Sequence, residues 1–174
     1  SKQNAQNIFI LPAKPLVPPH IIESIFNAVG LKKPESFLSI PYLSDQWIES
    51  LNLWIHPGSG ADNKNMPFSF YRKIVEDWLQ KNKANHVTFS FGEADQSVLD
   101  SYEFGNFINS ERVQVVLPNS IDNYKKLLLR GVAAFWGNDS GPSHLAANLG
   151  IPTNVCFQST DSAIWRPTGP RVRV

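Results

Sequence analysis

The 174-residue chain has one cysteine, one methionine and almost no net charge, with 16 Lys and Arg against 15 Asp and Glu. One cysteine excludes an intrachain disulfide framework and any zinc site built on paired cysteines, and a reducing cytoplasm fits best. Cys156 lies in the apolar run Val155, Cys156, Phe157 and reads as a small buried hydrophobe rather than a nucleophile or ligand. A formal charge of +1 argues against nucleic acid as a partner, because duplex binding needs a strongly basic face. Long apolar runs are absent too: nothing reaches the length of a membrane span, and the first residues, SKQNAQNIFILPAKP, lack the apolar core of a signal peptide. Internal repeats and low-complexity tracts are also missing. With 42% hydrophobic and 18% charged residues, the chain has what one folded domain with a sizeable core requires.

From Leu51 onward, short apolar runs alternate with segments of helical period. Strands are expected near 51–55, 86–91, 112–117, 132–136 and 153–157. Between them, Tyr71, Ile74, Val75, Trp78 and Leu79 recur at the spacing of a core-facing helical stripe, with Arg72, Lys73, Glu76 and Asp77 opposite. A second helix, from about Ile121 to Arg130, turns Ile121, Tyr124, Leu127 and Leu128 inward and ends before Gly131. This alternation predicts an α/β fold, a Rossmann-like doubly wound parallel sheet covered on both faces. In such sheets ligands bind beyond the carboxyl ends of the strands. The first fifty residues differ. A helix after Pro19 carries Ile22, Ile25, Phe26 and Val29 inward and closes at Gly30, and a short one after Pro41 has Leu43, Trp47 and Ile48 inward. Residues 1–50 therefore read as a connection with flanking helices, and 51–174 as the core domain.

The most informative stretch is GNDSGPSH, residues 137–144. It follows the apolar run 132–136 and opens a helix that carries Leu145 and Leu149 on one face and stops at Gly150. A strand, a tight turn and a helix start leave amide groups without helical partners, which favours an anion, most often a phosphate. Ser140 and His144 stand four apart and share a helical face. Taken alone, the stretch also fits an Asp or Ser helix cap beside a surface histidine. A third reading sets NDSG beside the GDSG around the nucleophile of trypsin-like serine proteases, but those are all-β and the nucleophile-elbow pattern is missing.

Three other loops carry polar groups at strand ends. HPGSGADNKNMP, 56–67, offers Gly58 and Gly60 for close backbone approach, the Ser59 hydroxyl, and Lys64 as a mobile charge, without the spacing of a P-loop. Glu93 and Asp95 follow Gly92, where an acid can hold ribose hydroxyls or complement a helix dipole. QSTDSAIW, after the strand at Cys156, places Thr160 and Asp161 beside the 139–144 turn if the last two strands are neighbours, or caps a short helix.

In order and content these segments resemble family 9 glycosyltransferases, the ADP-heptose:lipopolysaccharide heptosyltransferases and their relatives. HPGSGADNKNMP, VVLPNS at 115–120, GNDSGPSHLAANLGIP at 137–152 and QSTDS at 158–162 are similar to the family's corresponding blocks, with Met66 in place of a tryptophan and Gln158 and Ser159 in place of Gly and Pro. The resemblance implies the C-terminal, donor-binding half of a GT-B glycosyltransferase. Ser59 and Gly60 would contact the diphosphate, Lys64 would neutralise it, and Glu93, or less securely Asp95, would hold the ribose. Leu117, Pro118, Asn119 and Ser120 would border the base. Asp139 would meet sugar hydroxyls, with Thr160 and Asp161 nearby, and Ser140, Gly141 and His144 would line the phosphate end of the helix. The implied reaction is an inverting, metal-independent transfer from a nucleotide sugar, with ADP-heptose as the model donor, in lipopolysaccharide or related bacterial glycan synthesis. No cofactor is implied. The acceptor, a lipid-linked or lipopolysaccharide-type glycan, and the general base would belong to an N-terminal domain that this sequence does not include, so the chain alone is expected to bind donor and transfer nothing. A cytoplasmic place follows, with peripheral contact of the full protein to the inner membrane. Two other functions compete: a non-catalytic nucleotide-binding or regulatory module, and a nucleotide-sugar epimerase of similar fold.

Overall fold

Apolar segments that cannot leave either face in water pair side by side and are covered by helices. A computed structural model describes residues 20–32, 50–102 and 110–174. The strands are β1 (Asn52–His56), β2 (His86–Ser90), β3 (Val113–Val116), β4 (Ala134–Asn138), β5 (Thr153–Cys156) and β6 (Val172–Arg173). All pair in parallel, in the order β3-β2-β1-β4-β5-β6. The helices are α1 (Ile21–Ala28), α2 (Phe68–Lys81), α3 (Gln96–Ser101), α4 (Ile121–Leu128), α5 (Gly141–Asn148) and α6 (Ser162–Trp165), with short 3-10 turns at Asp62–Lys64 and Glu93–Asp95.

Alternate residues of β1 serve opposite faces, as the two-residue period of a strand requires. Leu53 and Ile55 join Tyr71 and Val75 of α2, Val87 and Phe89 in one core. Trp54 joins Tyr124 and Leu128 of α4, Phe135, Ala146 of α5 and Ile151 in the other. The sheet is thus doubly wound, as expected, and the α2 stripe packs inward as its spacing predicts.

Three expectations need correction, and one strand is not anticipated. Ile121, expected inward, is 77% exposed, because it is the first residue of α4 and the buried stripe begins one turn later at Tyr124. The fourth strand runs two residues later than expected, so Gly137 and Asn138, read as turn, are its last rungs, paired with His56, Val155 and Cys156. Helix α1 forms where expected and its chain turns at Gly30 with φ +72°, but none of its residues is fully buried and Ile25 is exposed. The alternating RVRV segment supplies the sixth strand, which two apolar residues are too few to announce. The expected connection at 32–40 and the helix after Pro41, with Leu43, Trp47 and Ile48, lie outside the described residues except for Lys32.

Asn138, fully buried at the end of β4, fastens the next loop to the sheet. Its amide donates to the Pro57 carbonyl at 2.5 Å, and its oxygen accepts from the Tyr71 hydroxyl at 2.8 Å and the Met66 N–H at 3.3 Å. Replacing Asn138 by leucine leaves three partners unsatisfied, two of them buried, and is expected to cost about 3 kcal/mol, with Tyr71→Phe costing about 1 kcal/mol. Urea unfolding of the two variants measures both.

Candidate functional site

Parallel strands deliver their carboxyl ends to one edge of the sheet, and the strand order turns back between β1 and β4. The chain leaves β1 for α2 on one face and β4 for α5 on the other, which opens a crevice at that edge. Two cavities lie there. The first, about 360 Å³, is lined by His56, Phe91, Gly92, Pro118, Asn119, Ser120, Ile121, Tyr124, Gly141, Pro142 and Leu145. The second, about 320 Å³, is lined by Ser59, Lys64, Asp139, Ser140, Gly141, His144, Thr160 and Trp165. They share Gly141, the first residue of α5, so a helix start with its partial positive charge stands between an apolar cavity and a polar one.

The polar cavity is organised around Asp139, whose side chain is 8% exposed. One carboxylate oxygen accepts from Lys64 Nζ at 2.8 Å and from the Thr160 hydroxyl at 2.7 Å. Lys64 is brought there by the 3-10 turn Asp62–Lys64, and Ser59 ties the loop to itself through Asn65 Oδ1 at 2.5 Å and the Ala61 carbonyl at 3.0 Å. Gly60 makes the bend with φ +67°, a left-handed conformation that a side chain would strain. Ser140 occupies the N-cap position of α5, yet its hydroxyl caps nothing and is buried without a partner. The helix-cap reading of this stretch therefore fails for Ser140. Ser143 does the local fastening instead, donating to the Asn138 carbonyl at 2.7 Å. Burial lowers the His144 pKa below its usual value, against the opposing pull of Asp139 and a bond to the Trp165 backbone. His144 thus offers the cavity a neutral imidazole at pH 7.

Beneath the apolar cavity lies a buried polar chain. The Trp54 indole N–H donates to Ser90 Oγ at 2.8 Å and reaches the Tyr124 hydroxyl at 3.0 Å, and Ser90 and Tyr124 hydroxyls are 2.8 Å apart. His56 Nδ1 stands 3.2 Å from the same Ser90 oxygen, while its Nε2 faces Asp95 Oδ2 at 3.5 Å. Burial drives the His56 pKa down to about 4, although Asp95 and Ser90 pull it up. Burial also raises the Tyr124 hydroxyl well above its ordinary value, so both groups are neutral hydrogen-bonding partners at the cavity wall.

Ser59, Lys64, Asp139, Ser140, Gly141, His144 and Thr160 converge on the polar cavity, and Pro118, Asn119 and Ser120 on the apolar one. Leu117, 62% exposed, lies outside both linings. Glu93 is exposed and Asp161 caps α6 by accepting the Ala163 N–H at 2.8 Å, and neither lines a cavity. Asp95 turns inward, 5% exposed, and accepts the Gly92 N–H at 2.7 Å. His56, Phe91, Tyr124 and Trp165 line the cavities without having been singled out as site residues. His56 stands at the head of the HPGSG run and was open to such a reading, whereas Tyr124 and Phe91 carried only a core signal. Cys156 is half-buried, and burial lifts its thiol to about 11, in keeping with an inert side chain. Among the described residues no three of His, Cys, Asp and Glu converge as metal ligands, and no helix is long and apolar enough to cross a membrane.

A doubly wound parallel domain with polar loops gathered where its strand order reverses belongs to the Rossmann-like class. Residues 30–174 match glycosyltransferase family 9 (heptosyltransferase), and the chain belongs to that family. No curated protein matches. Among solved structures, the fold is similar to that of E. coli ADP-heptose lps heptosyltransferase II, with TM-score 0.61 and 18% identity over 70% of this chain and 37% of that one. The E. coli heptosyltransferase WaaC with ADP aligns with TM-score 0.54 and 17% identity over 86% of this chain and 47% of the other. The family 9 glycosyl transferase from Veillonella parvula aligns with TM-score 0.57 and 17% identity over 70% and 35%. The chain spans between about a third and a half of the length of these proteins.

Above pH 6.5, His56 is neutral whether the chain is folded or not. As pH falls from there toward 4, the unfolded chain takes up a proton that the folded chain refuses, so stability declines over that window and levels below it. His144, also lowered, adds in the same direction. Chemical denaturation at stepped pH should show this decline, and His56→Gln should flatten it.

Proposed function

We propose that this chain is the donor-binding domain of an inverting, metal-independent glycosyltransferase that takes a nucleotide sugar, of the ADP-heptose kind, and acts in lipopolysaccharide or related bacterial glycan synthesis. The observation that carries this reading is the pair of cavities meeting at the start of α5. An apolar cavity with Asn119 and Ser120 at its edge suits a planar base. A helix start with a lysine beside it suits a diphosphate. The polar cavity around Asp139 suits a hydroxylated sugar. Family membership and two solved neighbours support the same ligand class: the E. coli heptosyltransferase WaaC with ADP and with ADP-2-deoxy-2-fluoro heptose.

The residues then divide the work. Lys64 exchanges its bond to Asp139 for a phosphate oxygen, and the freed carboxylate oxygen, still held by Thr160, accepts from sugar hydroxyls. The Ser140 hydroxyl, unpartnered in the free domain, donates to the diphosphate, and neutral His144 lines the same end of α5. In the transfer step the acceptor hydroxyl oxygen bonds to the anomeric carbon from the face opposite the diphosphate, the anomeric carbon–oxygen bond breaks, and its electron pair leaves with the diphosphate. The acceptor proton passes to a base in a partner domain. Lys64 and the α5 amides offset the charge that grows on the leaving group, which is the work a metal ion would otherwise perform.

Titrating ADP, UDP, GDP and CMP against the purified chain tests the reading. ADP is expected to raise the melting temperature. Lys64→Ala or His144→Ala should weaken ADP binding by about 1–3 kcal/mol, the cost of a lost charge-assisted hydrogen bond. Absence of any shift with every nucleoside diphosphate at millimolar concentration overturns the proposal. Ser140→Ala gives a sharper signature: ADP affinity falls while the stability of the free chain holds or rises, because an unsatisfied buried hydroxyl is removed.

A further inference from the structure

Asp95 is an acid that the donor-binding reading leaves without a task. It sits on the 3-10 turn after β2, 5% exposed, and its Oδ2 both accepts the Gly92 N–H at 2.7 Å and faces His56 Nε2 at 3.5 Å. Turned this way it lines neither cavity. Its carboxylate instead lies against the backbone of Gly58, so closely that a methyl group added to Gly58 would land on it. Gly58 is itself buried, one residue before Ser59. The Asp95 carboxylate therefore fills the space that a side chain at residue 58 would need, and it bridges two loops that leave neighbouring strands. His56 completes the arrangement from the end of β1, anchored on its other ring nitrogen by Ser90 Oγ at 3.2 Å.

The loop braced from below by Asp95 is the one that carries Ser59 and Lys64 into the polar cavity from above. A charged side chain with fixed partners is an effective brace, because rotating it away would strand a buried carboxylate. Asn138 holds the loop at both ends, on Pro57 beside Gly58 and on Met66 beyond Lys64. Between these two fixed points the loop has little room to shift Lys64 relative to Asp139.

We propose that Asp95, with His56, is a positioning residue: it wedges under Gly58 and fixes where the 57–64 loop presents Ser59 and Lys64 to the diphosphate. This rests on the donor-binding reading of the polar cavity. It explains why position 58 is glycine without invoking its backbone angles, and it gives the acid after β2 a role distinct from ribose binding.

The test compares the unaltered chain with Asp95→Asn, which keeps the shape and removes the charge, using ADP and adenosine as separate probes together with amide hydrogen exchange. Asp95→Asn is expected to lower ADP affinity about tenfold, because it removes the charge that strengthens the bond from the Gly92 N–H and the contact with His56, while adenosine affinity stays within about twofold. Exchange should quicken at residues 57–64 and not in β5. Gly58→Ala should reproduce the ADP loss, and Gly58→Ala combined with Asp95→Ala should be no worse than Asp95→Ala alone, since removing the carboxylate makes room for the methyl. Unchanged ADP binding and loop exchange in Asp95→Asn, an equal loss for both ligands, or strictly additive losses in the double variant overturns the proposal. If the unaltered chain ignores ADP while Asp95→Asn still loosens 57–64 alone, the brace stands and the donor-binding reading falls.

Discussion

Everything that the crevice offers depends on Asn138 holding the loop after β1 against the end of β4. Parallel sheets give a carboxyl edge without effort, but the two connections leaving β1 and β4 diverge to opposite faces and would leave a gap floored only by backbone. A fully buried amide that both donates to Pro57 and accepts from Tyr71 and Met66 closes that gap. Lys64 can then reach across to Asp139 from a loop whose root does not move. The apolar cores on the two faces supply the stability, and this one polar contact supplies the alignment.

Charge in the crevice is arranged before any ligand arrives. Lys64 and Asp139 neutralise one another at 2.8 Å, which spares each the cost of partial burial alone. His56 and His144 are kept uncharged by burial, so the positive character of the site is concentrated in one movable ammonium and in the fixed amides of α5. On the proposed donor-binding reading, such an arrangement would discriminate by exchange of partners rather than by bulk attraction, in keeping with a chain whose charges nearly cancel.

Much of this was legible in the residues. The period-two and period-3.6 patterns locate the strands and the stripe on α2, because those patterns are caused directly by which side chains must leave water. GNDSGPSH announces a helix start at the carboxyl edge of the sheet, and seven of the ten residues expected around the donor's ribose, phosphates and sugar line one polar cavity. What was not legible is orientation. Glu93 and Asp95 are two residues apart in the chain, yet one is at the surface and the other is buried against Gly58. Nothing in residue type separates them, since the decision is made by a neighbouring loop. Tyr124 shows the same limit from the other side: as one member of a helical stripe it signals packing alone, and only its place above Ser90 reveals a hydroxyl at a cavity wall. Ile121 fails because a periodic stripe carries no mark of where the sheet beneath it ends.

The indole of Trp54 is 3% exposed, bonded to Ser90 and set edge-on to the Tyr124 ring with centroids 5.8 Å apart, one layer below the apolar cavity. Trp165, only half-buried, borders the polar one. Two of the chain's five tryptophans therefore sit by the cavities, a shielded, blue-emitting one under the first and a wetter, red-shifted one beside the second. With the other three tryptophans replaced by phenylalanine, occupancy of each compartment becomes an optical event of its own, without attaching a label to a chain whose single thiol is half-buried.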